Sequence, residues 1–476
     1  MGQSDLEDAS GWRTRWQHFA CATLRRESRR PRHIGTYVNA LGDLPALLGD
    51  PLPFLTERAS LNERVVPLRL PFMPTFLLLD SADIERVLVT DHRNFVKPIW
   101  LRTRAVRRLL GDGLVTSDGE DWKRQRKECG PAFQPGSIPG YAQTFIRLTA
   151  RMLDDWEPGQ SRDIQRDMAR LTLEIVAETM LGADIRNDAP EISEAMDAVM
   201  KCFAAPGRRF GLLPLPPSRT EIKALRTVDR LVDRLIENAA GDEGTPAGRQ
   251  RLLALLGDGK NTRKQRREQV KTFLAAGHES SALALTWIFL LLDGKPEADR
   301  CLARELNTVL GGRLPRYDDL PSLPFTQAVV KEALRLYPPV WITGRKAIAR
   351  CEIAGHAVPT GSLILTSQWA VHRSTRYFPD PETFRPERWL TEPTDLPRFA
   401  YFPFGGGPRV CIGQNFAFVE SVLLLASIAQ RYRLSLDTPQ AIDPWATMTL
   451  RPPTGIMMRL GERDLSPARS SPPLPH

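Results

Sequence analysis

The sequence predicts a mainly helical protein with a small β-rich part. Between residues 140 and 292 most segments carry apolar residues at helical spacing, and the segment 265–292 is apolar almost throughout after Val270. Segments with the composition of a strand are few and short, and they lie before residue 80 or after residue 340. Helices should therefore build most of the fold.

The N-terminal part of the chain mixes helical and strand patterns. Residues 1–35 are polar and arginine-rich, with Trp12, Trp16, Phe19 and Leu24 near one helical face, which predicts a short amphipathic helix. The segments that follow predict helices over 37–48, 52–60 and 82–90, a β-hairpin from strands over 65–70 and 75–80, and irregular structure over 95–120.

Helical patterns dominate the rest of the chain, at 121–127, 140–157, 163–181, 192–203, 219–239 and 265–292. The proline-rich segment 204–217 cannot continue a helix and is expected to be a loop. Residues 341–349 and 363–369 predict strands of a small sheet, and 445–449 predict a hairpin tip. The composition of residues 463–476 is typical of a disordered tail.

Composition narrows the class of protein. The chain of 476 residues has a formal net charge of +9, but no aromatic-interleaved basic motif accompanies the arginines, which argues against nucleic-acid binding. The six cysteines form no C-x-x-C pair, which disfavours a zinc site or a disulfide framework and favours a cytoplasmic location. Neither a signal peptide nor a transmembrane anchor is expected from the apolar runs.

The stretch from Phe404 to Gly413 is chemically unusual. Three consecutive glycines precede Arg409 and Cys411, and an apolar helical run follows at 416–429. Glycines permit close backbone approach, and a helix N-terminus favours a thiolate over a thiol. A lone cysteine is more often a buried structural residue, so the environment by itself leaves both interpretations open.

The spacing of Phe404, Gly407, Arg409, Cys411 and Gly413 resembles the haem-binding signature of the cytochrome P450 superfamily, the haem-thiolate monooxygenases. In that family the cysteine is the axial thiolate ligand of haem b, and it favours O–O cleavage. The resemblance implies a cytochrome P450 fold, a single large domain that encloses haem between the 265–292 helix and the Cys411 loop. We expect this domain over 36–462, with the polar segment 1–35 before it and the tail 463–476 after it.

Further motifs resemble those of the same family. Trp122 and Arg126 lie on one helical face and match a W-x-x-x-R pair that contacts a haem propionate, and Arg345 and Arg409 match further propionate contacts. Glu332 and Arg335, followed by Arg388 in Pro-Glu-Arg-Trp, match a buried structural triad.

A glycine, an acid and two serines interrupt the apolar 265–292 helix. Such groups are costly there unless something needs them. Gly277, Glu279 and Ser280 resemble the family's oxygen-binding motif, in which the acid and the alcohol relay protons, with serine here where threonine is usual. The hydroxyl is kept, but the missing methyl group puts efficient coupling in doubt.

The resemblance implies a monooxygenase that inserts one atom of O₂ into a lipophilic small molecule, terpenoid, fatty acyl or polyketide-like, by hydroxylation or epoxidation. Electrons would come from a separate ferredoxin or flavodoxin-like donor with an NAD(P)H reductase, docking near Lys123, Arg124 and Lys127. A peroxide-using or isomerising haem-thiolate enzyme and a non-catalytic haem sensor are the alternatives. Seven mostly apolar positions are expected near the substrate: Trp100, Leu101, Phe203, Leu274, Val340, Ile342 and Met448.

Overall fold

The computed structural model describes residues 42–71, 73–203, 217–238, 252–257, 261–391 and 395–463. The predicted helix within 1–35, most of the loop 204–217 and the tail after residue 463 lie outside these ranges. The α-helices are α1 (Leu44–Gly49), α2 (Pro51–Ser60), α3 (Ser81–Glu85), α4 (Arg104–Leu110), α5 (Gly119–Cys129), α6 (Ile138–Asp154), α7 (Ile164–Val176), α8 (Ala189–Phe203), α9 (Arg219–Asn238), α10 (Leu252–Gly257), α11 (Arg263–Asp293), α12 (Pro296–Leu310), α13 (Pro324–Leu336), α14 (Gln368–Val371) and α15 (Gln414–Arg431).

Short strands form four small sheets. The strands are β1 (Val65–Leu68), β2 (Thr75–Leu78), β3 (Phe95–Val96), β4 (Ser161–Asp163), β5 (Thr343–Ala347), β6 (Cys351–Ile353), β7 (His356–Val358), β8 (Leu363–Thr366), β9 (Tyr432–Leu436), β10 (Trp445–Ala446), β11 (Leu450–Arg451) and β12 (Met457–Glu462). Their orders are β1-β2-β8-β5-β3, β4-β12-β9, β10-β11 and β6-β7. Only the β2–β8 pair is parallel among the strands described.

Helix α11 is the central element of the larger hydrophobic core. It packs against α4, α7, α9, α13 and α15. Thr262 begins it with a capping box, accepting from the Gln265 N–H while the Gln265 side chain accepts from the Thr262 N–H. Its apolar side chains are buried on several sides, as an almost uniformly apolar helix requires. By length and composition α11 is also the one described helix that could cross a membrane, but 72% of the apolar window is buried inside the protein.

A second, smaller core lies between the five-stranded sheet, α2 and the segment that leads into the Cys411 loop. Leu77, Leu78 and Ile364 of the two parallel strands are fully buried in it. The chain therefore places the Cys411 loop where the helical part and the β-rich part meet. The mainly helical fold with a small β-rich part is confirmed.

The expectation of irregular structure over 95–120 is wrong in part. Helix α4 occupies Arg104–Leu110, capped by the Thr103 side chain, and its buried face packs on α11. The Lys271 ammonium donates to the Arg108 carbonyl at 2.8 Å, and the Thr272 hydroxyl donates to the Leu110 carbonyl. The helix is too short to show a clear period in sequence, and α11 stabilises its C-terminal end.

Candidate functional site

The Cys411 loop is folded tightly onto its own backbone. The Cys411 N–H donates to the Phe404 carbonyl at 2.9 Å, and the Val410 N–H donates to the Gly407 carbonyl at 3.0 Å. Gly407 has a φ of +68°, and a Cβ built there would lie 1.8 Å from the Leu88 carbonyl oxygen. A side chain at this position would clash with backbone, so the loop shape depends on this glycine.

The Cys411 thiol is enclosed by the protein and yet accessible. Burial raises its pKa, and this effect outweighs the Gly413 N–H and the Arg126 charge, which both lower it. The N–H at the start of the helix thus favours the thiolate, as expected, but burial has the larger effect. The side chain is nonetheless exposed, so a ligand can reach the sulfur. A bound metal ion deprotonates a coordinating thiol outright and could hold this one ionised.

Cationic side chains gather beside the loop. Arg126, Arg345 and Arg409, which the sequence singled out, lie together with Lys97, which it did not. Burial and then Arg409 lower the pKa of Lys97 to about 7, and the same two causes lower the pKa of Arg345 to about 10. The charge of Asp118 raises both pKa values but only partly offsets this. A cluster with such an excess of buried positive charge is suited to an anionic group.

Helix α5 holds this cluster against the Cys411 loop. The Arg126 guanidinium donates to the Val410 carbonyl at 2.9 Å, and the Arg409 guanidinium lies 5.5 Å from the ring centroid of Trp122. Arg409 also pairs with Asp118, the N-cap residue of α5. The predicted Trp122–Arg126 face is thus directed at the loop.

Glu279 lies on α11 beside the β10–β11 hairpin. Its side chain is 12% exposed, and burial raises its pKa although Arg451 and the Thr449 hydroxyl partly counteract that. The Thr449 hydroxyl donates to the Glu279 Oε1 at 2.8 Å. A raised pKa makes a carboxyl bind a proton more readily, which is what a relay needs.

Ser280 and Gly277 have different surroundings. The Ser280 hydroxyl donates to the Ala276 carbonyl at 2.8 Å, the back-bond that bends a helix locally, and Ala276 is exposed. A Cβ on Gly277 would lie 3.1 Å from Val176 Cγ2. The glycine therefore allows close packing of α11 on α7. Gly277 faces α7, whereas Ala276 is exposed on another side of the helix.

The predicted Glu332–Arg335–Arg388 triad is assembled and buried. Glu332 and Arg335 are both 0% exposed and form a two-pronged ion pair with distances of 2.8 and 3.0 Å. Arg388 Nε donates to the same carboxylate at 3.0 Å. Trp389 Nε1 adds a fourth side-chain hydrogen bond at 2.7 Å, and it belongs to the same Pro-Glu-Arg-Trp sequence.

Comparison with known proteins decides the family. A family model described as Cytochrome P450 matches residues 48–460. The chain belongs to the cytochrome P450 family. Among its relatives, cyclooctatin synthase of Streptomyces melanosporofaciens is 35% identical over 84% of this chain and 89% of the relative. Cyclooctat-9-en-7-ol 5-monooxygenase of the same organism is 34% identical over 85% and 90%. Pentalenene oxygenase of Streptomyces avermitilis is 31% identical over 91% and 94%.

Cytochrome P450 enzymes are haem b monooxygenases, and the residues of this chain fit that cofactor. The fit rests on an accessible thiol and on the excess of buried and half-buried cations beside it. Haem b carries two propionates, which would join Asp118 as counter-charges for the four cations. The unmatched positive charge is accounted for in this way.

His372 connects the triad to the cysteine loop of this cytochrome P450, and no sequence motif points to it. Its Nε2 accepts from the Phe402 N–H at 2.9 Å, and its Nδ1 lies 3.3 Å from the Arg335 carbonyl. The ring is 0% exposed, and burial lowers its pKa to about 3. A neutral His372 thus links α13 to the backbone just before residue 404.

The positions expected to contact substrate divide into two groups. Val340 is exposed at 43%, and Leu101, Ile342 and Met448 are half-buried, so these four are accessible to a ligand. Leu274, at 3% exposure, belongs to the main core and is not accessible. Trp100 is half-buried and covers Gly344, and the side chain of Phe203 lies outside the described part of the structure.

Proposed function

We propose that this cytochrome P450 oxygenates a terpenoid, by hydroxylation or epoxidation, in a pathway of secondary metabolism. Relatives that share 34% and 31% identity are named for oxygenation of cyclooctat-9-en-7-ol and pentalenene, which are terpenoid compounds. The accessible positions Val340, Ile342 and Met448 are apolar, in agreement with a ligand that has few polar groups. Fatty acyl and polyketide substrates have no comparable support.

The observation that carries the proposal is the enclosed but accessible Cys411 beside the cationic cluster. We assign Cys411 as the thiolate ligand of haem b, and Arg126, Arg345 and Arg409, together with Trp122, as the residues that hold the propionates. Phe404 and Gly413 shape the loop around the thiolate. When bound, haem b supplies the activation of O₂ and the oxygen transfer that define the family.

The protein's own part in the reaction is proton delivery and positioning. Glu279 carries the proton, and the neighbouring Ser280 hydroxyl passes it toward the bound O₂. Gly277 contributes by letting α11 approach α7, not by direct contact. The Glu332, Arg335 and Arg388 triad keeps the region behind the loop rigid.

We assign electron supply to a separate ferredoxin or flavodoxin-like protein with an NAD(P)H reductase. Lys127 and Lys123 are exposed on α5, whose other face holds the Cys411 loop, although Lys123 pairs with Glu120 at 2.6 Å. Arg124 is bound to Glu128 at 3.2 Å and contributes less than expected. An acidic donor could approach this face of α5. The scattered cysteines support a cytoplasmic enzyme, and we keep 36–462 as its single catalytic domain.

The test is oxygenation of pentalenene and related terpenoids by the purified holoenzyme with NADPH, a ferredoxin and its reductase under ¹⁸O₂. One ¹⁸O atom per product molecule is expected, with the low- to high-spin shift of the haem as the binding signal. Equal turnover with hydrogen peroxide alone would favour the peroxide-using alternative. Absence of any oxygenated product across terpenoids, with product from fatty acids, would overturn the substrate class.

A further inference from the structure

Glu279 shares its cationic neighbour with a second helix. Arg451, on β11, has a side chain only 6% exposed, and its Nη1 lies 3.7 Å from Glu279 Oε1. The other guanidinium nitrogen, Nη2, pairs with Asp197 of α8. One guanidinium therefore lies between two carboxylates that belong to different helices, α11 and α8.

The ion pairs of Glu279, Arg451 and Asp197 extend to the protein surface through Lys201. Lys201, one turn along α8 from Asp197, places its ammonium 2.7 Å from Asp197 Oδ2 and is 54% exposed. Burial opposes ionisation of Asp197, but Arg451 and Lys201 outweigh it and lower its pKa. Asp197 is therefore favoured as an anion, and it shares Arg451 with Glu279.

A movement of helix α8 would change the Asp197–Arg451–Glu279 ion pairs. The helix ends at Phe203, where the proline-rich segment 204–217 begins, and it packs on α7 and α9. A shift of α8 moves Asp197 relative to α11, and this alters how closely Arg451 approaches Glu279. Arg451 is anchored meanwhile on the hairpin β10–β11, which also carries Thr449.

We propose that Arg451 is a positioning residue that couples the relay carboxylate Glu279 to helix α8 through Asp197. The proposal rests on the assignment of Glu279 as the proton carrier, but its own observable is the charge state of Glu279. When α8 draws Asp197 away, Arg451 is released toward Glu279 and stabilises the carboxylate. When Asp197 holds Arg451, Glu279 keeps its proton more readily.

The groups that face Glu279 fix the sign of each perturbation. Arg451 and Thr449 lower its pKa, Asp197 raises it, and burial raises it most. Removing the Arg451 charge should thus raise the pKa of Glu279. Removing the Asp197 charge should lower it, both directly and by freeing Arg451.

The experiment is an infrared titration of the ferric holoenzyme. The C=O stretch of protonated Glu279 is identified as the band lost in Glu279→Gln, and its midpoint is measured in Arg451→Met, Arg451→Lys and Asp197→Asn. Glu194→Gln, also on α8 and paired with Arg166 at 3.1 Å, is the matched control. We expect the midpoint to rise in Arg451→Met, to fall in Asp197→Asn, and to stay unchanged in Arg451→Lys and Glu194→Gln.

Shifts of the Glu279 titration midpoint in opposite directions in Arg451→Met and Asp197→Asn distinguish this coupling from a purely structural role. Unchanged midpoints in Arg451→Met and Asp197→Asn, or shifts in the same direction, would overturn the proposal. If Arg451→Met does not fold, Asp197→Asn decides alone. A Glu279 midpoint in Asp197→Asn that is equal to or higher than the wild-type midpoint then overturns the proposal. With substrate, Arg451→Met should also raise peroxide release per NADPH by roughly tenfold, since misplacing a proton carrier sacrifices part of its contribution. Wild-type coupling in Glu279→Gln would instead refute the relay, whatever the titration shows.

Discussion

Replacing Glu332 by glutamine tests how much the buried triad stabilises the site. Glutamine keeps the shape of the side chain but removes its charge, so Arg335, at 0% exposure, and Arg388, at 7%, lose their counter-ion. Breaking a buried ion pair costs about 3–5 kcal/mol, because the partner charge stays buried and unpaired. The unfolding entropy of roughly 2.1 cal/mol/K per residue amounts to about 1 kcal/mol/K for this length, so the melting temperature should fall by about 3–5 K.

The assay is thermal unfolding of the holoenzyme followed by circular dichroism, with haem content measured after purification. Glu352→Gln, at an exposed position of strand β6, is the matched control and should stay within about 0.5 kcal/mol of the wild type. A Glu332→Gln enzyme that melts within about 1 K of the wild type and keeps its haem would refute the reasoning. The ion pair would then contribute no more than a surface pair.

Three further predictions follow from the same geometry. Gly407→Ala should lose most of its haem, since a Cβ would lie 1.8 Å from the Leu88 carbonyl at a φ of +68°, whereas Gly136→Ala, with open space around it, should retain it. Stability should fall as the pH drops from 6.5 toward 3, because the pKa of buried His372 is lowered to about 3 and the unfolded chain binds the proton more readily. His372→Gln should weaken that pH dependence of the free energy of unfolding, measured by urea titration. The same pH dependence in the variant and the wild type would contradict the role of His372. Ser280→Thr should lower peroxide release per NADPH, since the added methyl restricts the hydroxyl that now bonds to the Ala276 carbonyl at 2.8 Å, and a higher release would count against the relay.

Features encoded within one segment could be predicted from the sequence. Helix α11 runs from Arg263 to Asp293, and the apolar pattern predicts it over 265–292. Glu279 and Ser280 of this helix belong to one contiguous sequence motif. Glu332 and Arg335 face each other because they lie three residues apart on one helix. Arg388 required the resemblance, since nothing local brings it to Glu332.

Contacts between distant segments could not be predicted. Lys97, His372 and Arg451 are single polar residues in ordinary surroundings of sequence, and only the fold brings them to the cysteine loop or to Glu279. The raised pKa of Cys411 cannot be predicted from the sequence for a related reason. The helix N-terminus is visible in sequence, whereas the burial that outweighs it depends on the whole fold.

The most direct test of the central claim is the absorption spectrum of the reduced carbon-monoxide complex in the wild type and in Cys411→Ser. The account predicts a red-shifted Soret band in the wild type, because a thiolate ligates the iron, and loss of that band in the variant. Cys129→Ser provides the control, since Cys129 is fully buried in the core, and it should keep the band. A Cys411→Ser enzyme that retains the red-shifted band would show that another residue is the ligand.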